Sequence, residues 1–136
     1  MKSFIRSLVI ATTVFLAVPA ICQASTTAEA AVVPKTADAI WQAIDTHSSE
    51  LKAAIESGAL DTVHHHAFAI RDLIAALPAH SPATSVDEQT KLQNQVKFVA
   101  TLADRLDASG DSGDRAGAQS NYDKLVAVLN GITRYK

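Results

Sequence analysis

The sequence predicts an all-α protein, an antiparallel up-down-up-down four-helix bundle that follows a cleaved signal peptide. Four segments carry apolar residues at helical spacing, and no stretch alternates apolar and polar residues over six positions. Glycine and proline are scarce, at 5 and 4 of 136 residues, while alanine recurs. The apolar share of 48% excludes an intrinsically disordered chain. With a formal charge of −2, the chain lacks the excess of basic residues that a nucleic-acid-binding protein has.

The first 24 residues are predicted to be a secretory signal peptide. A basic start precedes an apolar run over residues 8–18, and Ala24 supplies the small residue that precedes a cut. Cleavage after Ala20 is an alternative. A membrane anchor fits less well, because the run is shorter than the ~20 residues that span a bilayer. Acylation of Cys22, as in a lipoprotein, is a further alternative.

Removal of this segment changes the composition of the chain. Lys2 and Arg6 are lost and all 14 acidic residues stay, so the formal charge becomes −4. The single cysteine and the single methionine are lost as well, so the exported chain would have no sulfur ligand and no disulfide. We therefore expect a periplasmic protein, free of the membrane after cleavage, in which residues 25–36 form a flexible leader and residues 37–136 form the bundle.

Helix 1 is predicted over Ala37–Ser57. Thr36 can accept a hydrogen bond from the first turn, Asp38 complements the helix dipole there, and Gly58 can end the helix in a left-handed conformation. The apolar positions of this helix, spaced by four, seven and four residues, are Ile40, Ile44, Leu51 and Ile55. They form one stripe that must be buried against other helices.

Helix 2 is predicted over Thr62–Leu77, with Asp61 as its N-cap. Pro78 and Pro82 are expected to stop it, because proline lacks the backbone N–H that continues a helix. Its apolar stripe consists of Val63, Ala67, Ile70, Ile74 and Leu77. The alternating steps of four and three residues are typical of an amphipathic helix.

Helices 3 and 4 complete the predicted bundle. Helix 3 begins at Ser85, which forms a capping box with Glu88, and the Gly/Ser stretch over residues 109–113 is expected to end it. Helix 4 starts near Asp114. The stripes of the two helices are Leu92, Val96, Val99, Ala103 and Leu106, then Ala118, Tyr122, Leu125, Leu129 and Ile132. Links this short favour antiparallel neighbours.

Aspartates surround the link between helices 3 and 4, namely Asp104, Asp107, Asp111 and Asp114. This arrangement resembles a calcium loop only loosely. An EF-hand requires glycine at its sixth position, and counting from Asp107 places Ser112 there. We therefore predict that these aspartates serve as helix caps and as a solvated turn.

The five histidines are the residues most able to carry chemistry. Three are consecutive, His64, His65 and His66, and at 100° per residue they cannot share one helix face. Only His66 falls within the apolar stripe of helix 2. His47 occupies a similar seam position in helix 1. His80 follows Pro78 in the predicted loop and is given no role.

Imidazole and carboxylate together are ligands for Zn, Cu, Ni and Co. Glu50 lies one turn after His47, and Asp61 lies one turn before the histidine run. The candidate metal ligands are His47, Glu50, Asp61, His64, His65 and His66. We therefore predict a non-catalytic periplasmic protein that binds or sequesters a divalent transition metal. No nucleophile–base pair that would indicate an enzyme is visible in the sequence.

A count of helix rise argues against one tight site. If the turn between helices 1 and 2 centres near residue 59 or 60, His47 lies level with Asp72, about 9 Å along the axis from His66. A His47–Asp72 hydrogen bond would fit that register. A surface site on Asp61 and the first two histidines of the run is the other possibility. The plainest alternative is that each seam histidine is hydrogen-bonded to its own neighbour.

The predicted secreted bundle resembles the cytochrome c′ class from helix 1 to the C-terminus. That family ends its last helix with a Cys-x-x-Cys-His haem attachment, followed by an aromatic and a basic residue. With Tyr135 and Lys136 matched to that ending, Val128, Gly131 and Ile132 stand where the cysteines and the histidine would be. The resemblance thus implies the bundle without covalent haem. A methionine-ligated b-type haem is excluded too, because the mature chain has no methionine.

Residues 40–47 and 63–73 are also similar to small exported helical proteins of proteobacteria, some of them associated with heavy-metal handling. That similarity implies a metal ion as ligand and a component of a metal-efflux system as partner. A competing interpretation is an interaction module without a ligand, whose histidines are structural or sense pH. A homodimer is left open, and Trp41 and Phe68 lie off their stripes, where they would either face a partner or pack between helices.

Overall fold

A computed structural model describes residues 33–80 and 85–132 of the chain. These residues form four α-helices, α1 (Ala37–Ser57), α2 (Val63–His80), α3 (Val86–Asp111) and α4 (Arg115–Ile132), and a 3-10 helix (Leu60–Thr62) between α1 and α2. No strand occurs in these two ranges, so the all-α prediction is confirmed. The predicted signal peptide, Pro82 and the C-terminal residues 133–136 lie outside the described residues.

Helix α1 begins and ends where the sequence predicts. The Thr36 hydroxyl accepts a hydrogen bond from the backbone N–H of Ala39 at 3.3 Å. Gly58 ends the helix with φ of 80°, a left-handed conformation that glycine adopts without strain. Its backbone N–H donates to the carbonyl of Ile55, one of the carbonyls left unpaired at the end of the helix.

Helix α2 departs from the prediction at both ends. Asp61 is not the N-cap of α2. It lies within the 3-10 helix, so the chain is already helical before α2 begins at Val63. Pro78 lies inside α2, which continues to His80. A proline removes its own hydrogen bond but can itself hold helical angles, so the last turn persists beyond it. His80 therefore lies at the end of a helix and not in a loop.

Helix α3 begins as predicted and ends at Asp111, within the Gly/Ser stretch that was expected to end it. Ser85 caps it by accepting a hydrogen bond from the N–H of Glu88 at 3.2 Å. The helix continues through Gly110, whose cost in a helix is about 1 kcal/mol. The 3-10 helix approaches α3 there so closely that a Cβ on Gly110 would lie 2.8 Å from the Leu60 carbonyl oxygen. The missing side chain permits this contact.

The four apolar stripes meet in one hydrophobic core. Helices adjacent in the chain pack on each other, and a smaller contact between α1 and α4 closes the bundle. Arg115, at the start of α4, donates to the carbonyl of Glu56 near the end of α1, as the up-down-up-down order requires. Trp41 is only 3% exposed, and Phe68 packs partly buried against the core, so both pack between helices.

Within the two described ranges, no helix combines the length and the apolar character needed to cross a membrane.

Candidate metal centre

The seam between α1 and α2 positions the two inward histidines. His47 lies between the buried side chains of Ile44 and Leu51, one turn on either side of it. His66 lies similarly between buried Val63 and Ile70. Because apolar packing anchors the helix above and below each imidazole, the backbone positions of both rings are set by the core.

Three ligand atoms converge across this seam, and we call His47, Glu50 and His66 the triad. The two Nδ1 atoms of His47 and His66 lie 3.3 Å apart. Oε2 of Glu50 lies 3.4 Å from Nδ1 of His47 and 3.3 Å from Nδ1 of His66. The three atoms thus form a nearly equilateral triangle, the arrangement expected of donors that share one ion. Among the described residues, the triad is the one such group of three candidate ligands.

The triad opens towards solvent on one side. The side chains of His47 and His66 are 24% and 17% exposed, whereas that of Glu50 is 51% exposed. The imidazoles therefore line the inner side and the carboxylate lies at the rim. An ion could reach these donors from solvent without opening the bundle.

The surroundings of His66 disfavour its charged form. Burial lowers the pKa of His66 below its ordinary value by desolvating the charged imidazolium. The Glu50 carboxylate acts in the opposite direction, while the neighbouring imidazoles of His47, His65 and His64 add to the lowering of this pKa. A neutral imidazole retains the lone pair that binds a metal ion.

The register expected from helix rise was wrong. His47 lies against His66, and Asp72 instead accepts a hydrogen bond from Nε of Arg71 at 2.9 Å. The count treated the connection as a symmetrical α-helical reversal. The chain instead forms the 3-10 helix Leu60–Thr62 before α2 begins at Val63, so the two helices are not related by such a reversal.

The other predicted ligands are placed differently. Asp61 and His64 are exposed, and neither contributes an atom to the triad. His65 is exposed too, but its ring lies beside the triad, with its centroid 5.4 Å from that of His66 and 6.5 Å from that of His47. The alternative surface site on Asp61, His64 and His65 does not form a group of converging ligand atoms within the described residues.

One neighbour of the triad carried no signal in the sequence. The hydroxyls of Ser48 and Tyr122 lie 3.5 Å apart and link α1 to α4 beside His47. Tyr122 belongs to the apolar stripe of helix 4, so the pattern indicates a core residue, while Ser48 resembles any polar surface residue. Their proximity depends on how α4 packs on α1, which no local pattern specifies.

Comparisons of this chain with protein-family models, with curated proteins and with solved structures found no match. The resemblance to the cytochrome c′ class and to heavy-metal-associated proteins therefore stays a prediction.

Proposed function

We propose that this protein binds one divalent transition-metal ion through Nδ1 of His47, Nδ1 of His66 and a carboxylate oxygen of Glu50. The observation that supports this most directly is the mutual spacing of the three atoms, 3.3–3.4 Å. The two contacts of Glu50 with the imidazoles, at 3.4 and 3.3 Å, are longer than the charge-assisted N–H···O bonds of about 2.7–2.9 Å that such groups form directly. The spacing therefore favours three donors around an ion over three groups bonded directly to one another.

The donor types restrict the class of ion. Two imidazole nitrogens and one carboxylate suit Zn, Cu, Ni and Co. Calcium and magnesium prefer shells made entirely of oxygen. The lowered pKa of His66 supports the same class, because a neutral imidazole does not need to lose a proton before it binds the ion.

The role that fits such a site is sequestration or handover of the ion in the periplasm, without catalysis. The rim position of Glu50, half exposed, would let an incoming ligand reach the ion. A component of a metal-efflux system is the partner that this role implies. The predicted signal peptide over residues 1–24 supports the periplasmic location.

A second candidate function comes from the same lowered pKa of His66, taken together with the contact between the His66 and His47 rings. In this alternative the protein is an interaction module without a ligand, and the seam histidines sense pH. Protonation of His66 would place a positive charge beside His47 within a largely buried seam. The two functions differ in whether metal or acidity changes the protein.

Titration of the purified, metal-free protein with Zn²⁺, Cu²⁺, Ni²⁺ and Co²⁺ in a calorimeter tests the proposal. We expect one equivalent to bind with a micromolar or tighter Kd. A variant carrying His47→Ala and His66→Ala should lose that binding. His64→Ala is the matched control, because His64 is an exposed histidine of the same run outside the triad.

Circular dichroism would establish that both variants keep the helical bundle. Absence of binding to the wild-type protein would reject metal binding as its function. Equal binding by the double variant would reject the triad as the site. A wild-type protein that binds none of the metals but loses stability below pH 6 would favour the second candidate function.

A further inference from the structure

We infer that the triad supplies three of the four ligands of a tetrahedral zinc site and that His65 supplies the fourth. This inference rests on the proposed metal binding. The triad itself does not include His65, whose ring lies beside it. The inference adds the coordination geometry, the preferred ion and the ligand that completes the shell. Each of these follows from a different observation.

The coordination geometry follows from the edges of the triangle. In a tetrahedral site with bonds of about 2.0–2.1 Å, ligand atoms lie ~3.3–3.4 Å apart. In octahedral or square-planar sites with bonds of similar length, neighbouring ligand atoms lie only ~2.9–3.0 Å apart. The three observed separations are 3.3, 3.3 and 3.4 Å. They match the tetrahedral edge, which is the geometry of zinc and of its substitute cobalt.

Three ligand atoms occupy three corners of a tetrahedron. The fourth ligand has to occupy the remaining corner, on the far side of the ion from the other three. Ile44 and Ile70, one turn from His47 and His66 along their helices, are fully buried, so the side of the seam that faces the core is apolar. The outer side is where half-exposed Glu50 lies. A fourth ligand must therefore be a donor at the solvent side of the seam.

His65 is the donor placed there. Its ring packs edge-on against both triad rings, at an interplanar angle of 79° to His66 and 78° to His47. Its side chain is exposed, so it can change rotamer without displacing the core. Rotation towards the triad would bring a ring nitrogen to the fourth corner.

His64 provides an internal comparison. It is also exposed and directly precedes His65 in α2, yet the ring contacts in this part of the described chain join only His47, His65 and His66. His64 is two steps from His66 along α2, which turns its side chain by about 200° to the opposite side of the helix, whereas His65 is turned by only about 100°. The two neighbouring histidines thus differ in position but not in chemistry.

Cobalt substitution tests the inference. Tetrahedral Co²⁺ gives intense visible d–d bands, whereas octahedral Co²⁺ gives faint ones, so the spectrum of the Co²⁺-loaded protein reports the geometry directly. We expect intense bands in the wild-type protein and in His64→Ala. In His65→Ala the bands should shift as solvent replaces the imidazole, and the Kd for Zn²⁺ should rise about tenfold or more.

The outcomes separate this inference from the proposed function. Faint bands from bound Co²⁺ would overturn the tetrahedral geometry while leaving metal binding intact. A spectrum and a zinc Kd that are the same in His65→Ala and His64→Ala would overturn the assignment of His65. Failure of the wild-type protein to bind any of the metals would overturn the proposed function, and this inference with it.

Discussion

Two parts of this bundle gather side chains that could bind an ion, and the structure uses them differently. Beside the turn between α3 and α4, Asp114 accepts a hydrogen bond from the N–H of Gly117 at 2.9 Å, an ordinary length for a helix cap. Across the α1–α2 seam, the atoms of the triad lie 3.3–3.4 Å apart around a common centre. The predicted role of this aspartate as a helix cap is confirmed.

This difference shows how candidate metal ligands can be distinguished from side chains that cap a helix. A carboxylate beside a helix start satisfies backbone N–H groups that would otherwise lack a partner, so its placement is explained by the fold alone. Two imidazoles on an apolar seam satisfy no backbone group, and each costs desolvation free energy. Their convergence with Glu50 is explained if the three side chains share a ligand.

The largest effect that would test this comparison is stabilisation by zinc. At a free zinc concentration of 100 Kd, binding to the folded state alone should add about 2.7 kcal/mol to the free energy of unfolding. Glu50→Gln should abolish most of that gain and change the metal-free stability by less than about 0.5 kcal/mol, since Glu50 is half exposed. Thermal unfolding with and without zinc measures both quantities.

Asp114→Ala is the reciprocal variant. Loss of the cap should cost about 1 kcal/mol of stability, and the gain from added zinc should persist. If zinc stabilised the Glu50→Gln protein as much as the wild type, or if Asp114→Ala removed the gain, the two regions would not differ as the structure indicates.

Gly110→Ala tests whether the packing of the 3-10 helix on α3 fixes the position of the triad. We expect a smaller effect on stability than that of zinc. The added Cβ would lie 2.8 Å from the Leu60 carbonyl oxygen, and backbone has to move to relieve the clash. Overpacking typically costs 1–3 kcal/mol, while alanine returns up to about 1 kcal/mol of helix propensity. We therefore expect a net destabilisation of about 1–2 kcal/mol in urea unfolding.

Asp111→Ala, an exposed change at the neighbouring position, should alter stability by less than about 0.5 kcal/mol. Because Leu60 belongs to the connection that leads into α2, we also expect Gly110→Ala to weaken zinc binding at the triad. A Gly110→Ala protein as stable as the wild type would show that the connection yields easily. In that case the contact with α3 would not fix the position of His66.

Most of the fold could be predicted because each helix carries its own signals. Thr36 and Gly58 bound α1 as predicted, and Ser85 starts α3, since caps and left-handed glycines act within a few residues. Pro78 misled the prediction of the end of α2, because a proline lowers the stability of a helix there without forbidding it. At that position the rules that act over a few residues are only tendencies, and α2 continues to His80.

The site could be predicted only in part. His47 and His66 stood out because each interrupts an apolar stripe, and Glu50 followed from its spacing. Their distance could not be derived, because it depends on the path of the chain between Ser57 and Val63, where three residues form a 3-10 helix. An error of a few residues in that register separates a cluster of candidate ligands from two unrelated histidines.

Acidity should produce the smallest effect, and one that also separates the two regions. Burial lowers the pKa of His66 in the folded protein, although Glu50 opposes this and the neighbouring histidines reinforce it. Above the unfolded value of about 6.5, His66 is neutral in both states and its protonation does not change the stability. As the pH falls below 6.5, the unfolded chain takes up this proton first, so the metal-free bundle loses stability until the lowered pKa is reached.

Urea unfolding of the metal-free protein between pH 7.5 and pH 5 would measure this loss. His66→Gln should flatten the pH dependence, and Asp114→Ala should keep it while lowering stability at every pH. Equal slopes in the wild type and His66→Gln would mean that His66 is not held neutral by the fold. Burial of His66 would then not be what presents an imidazole lone pair to a metal ion at the seam.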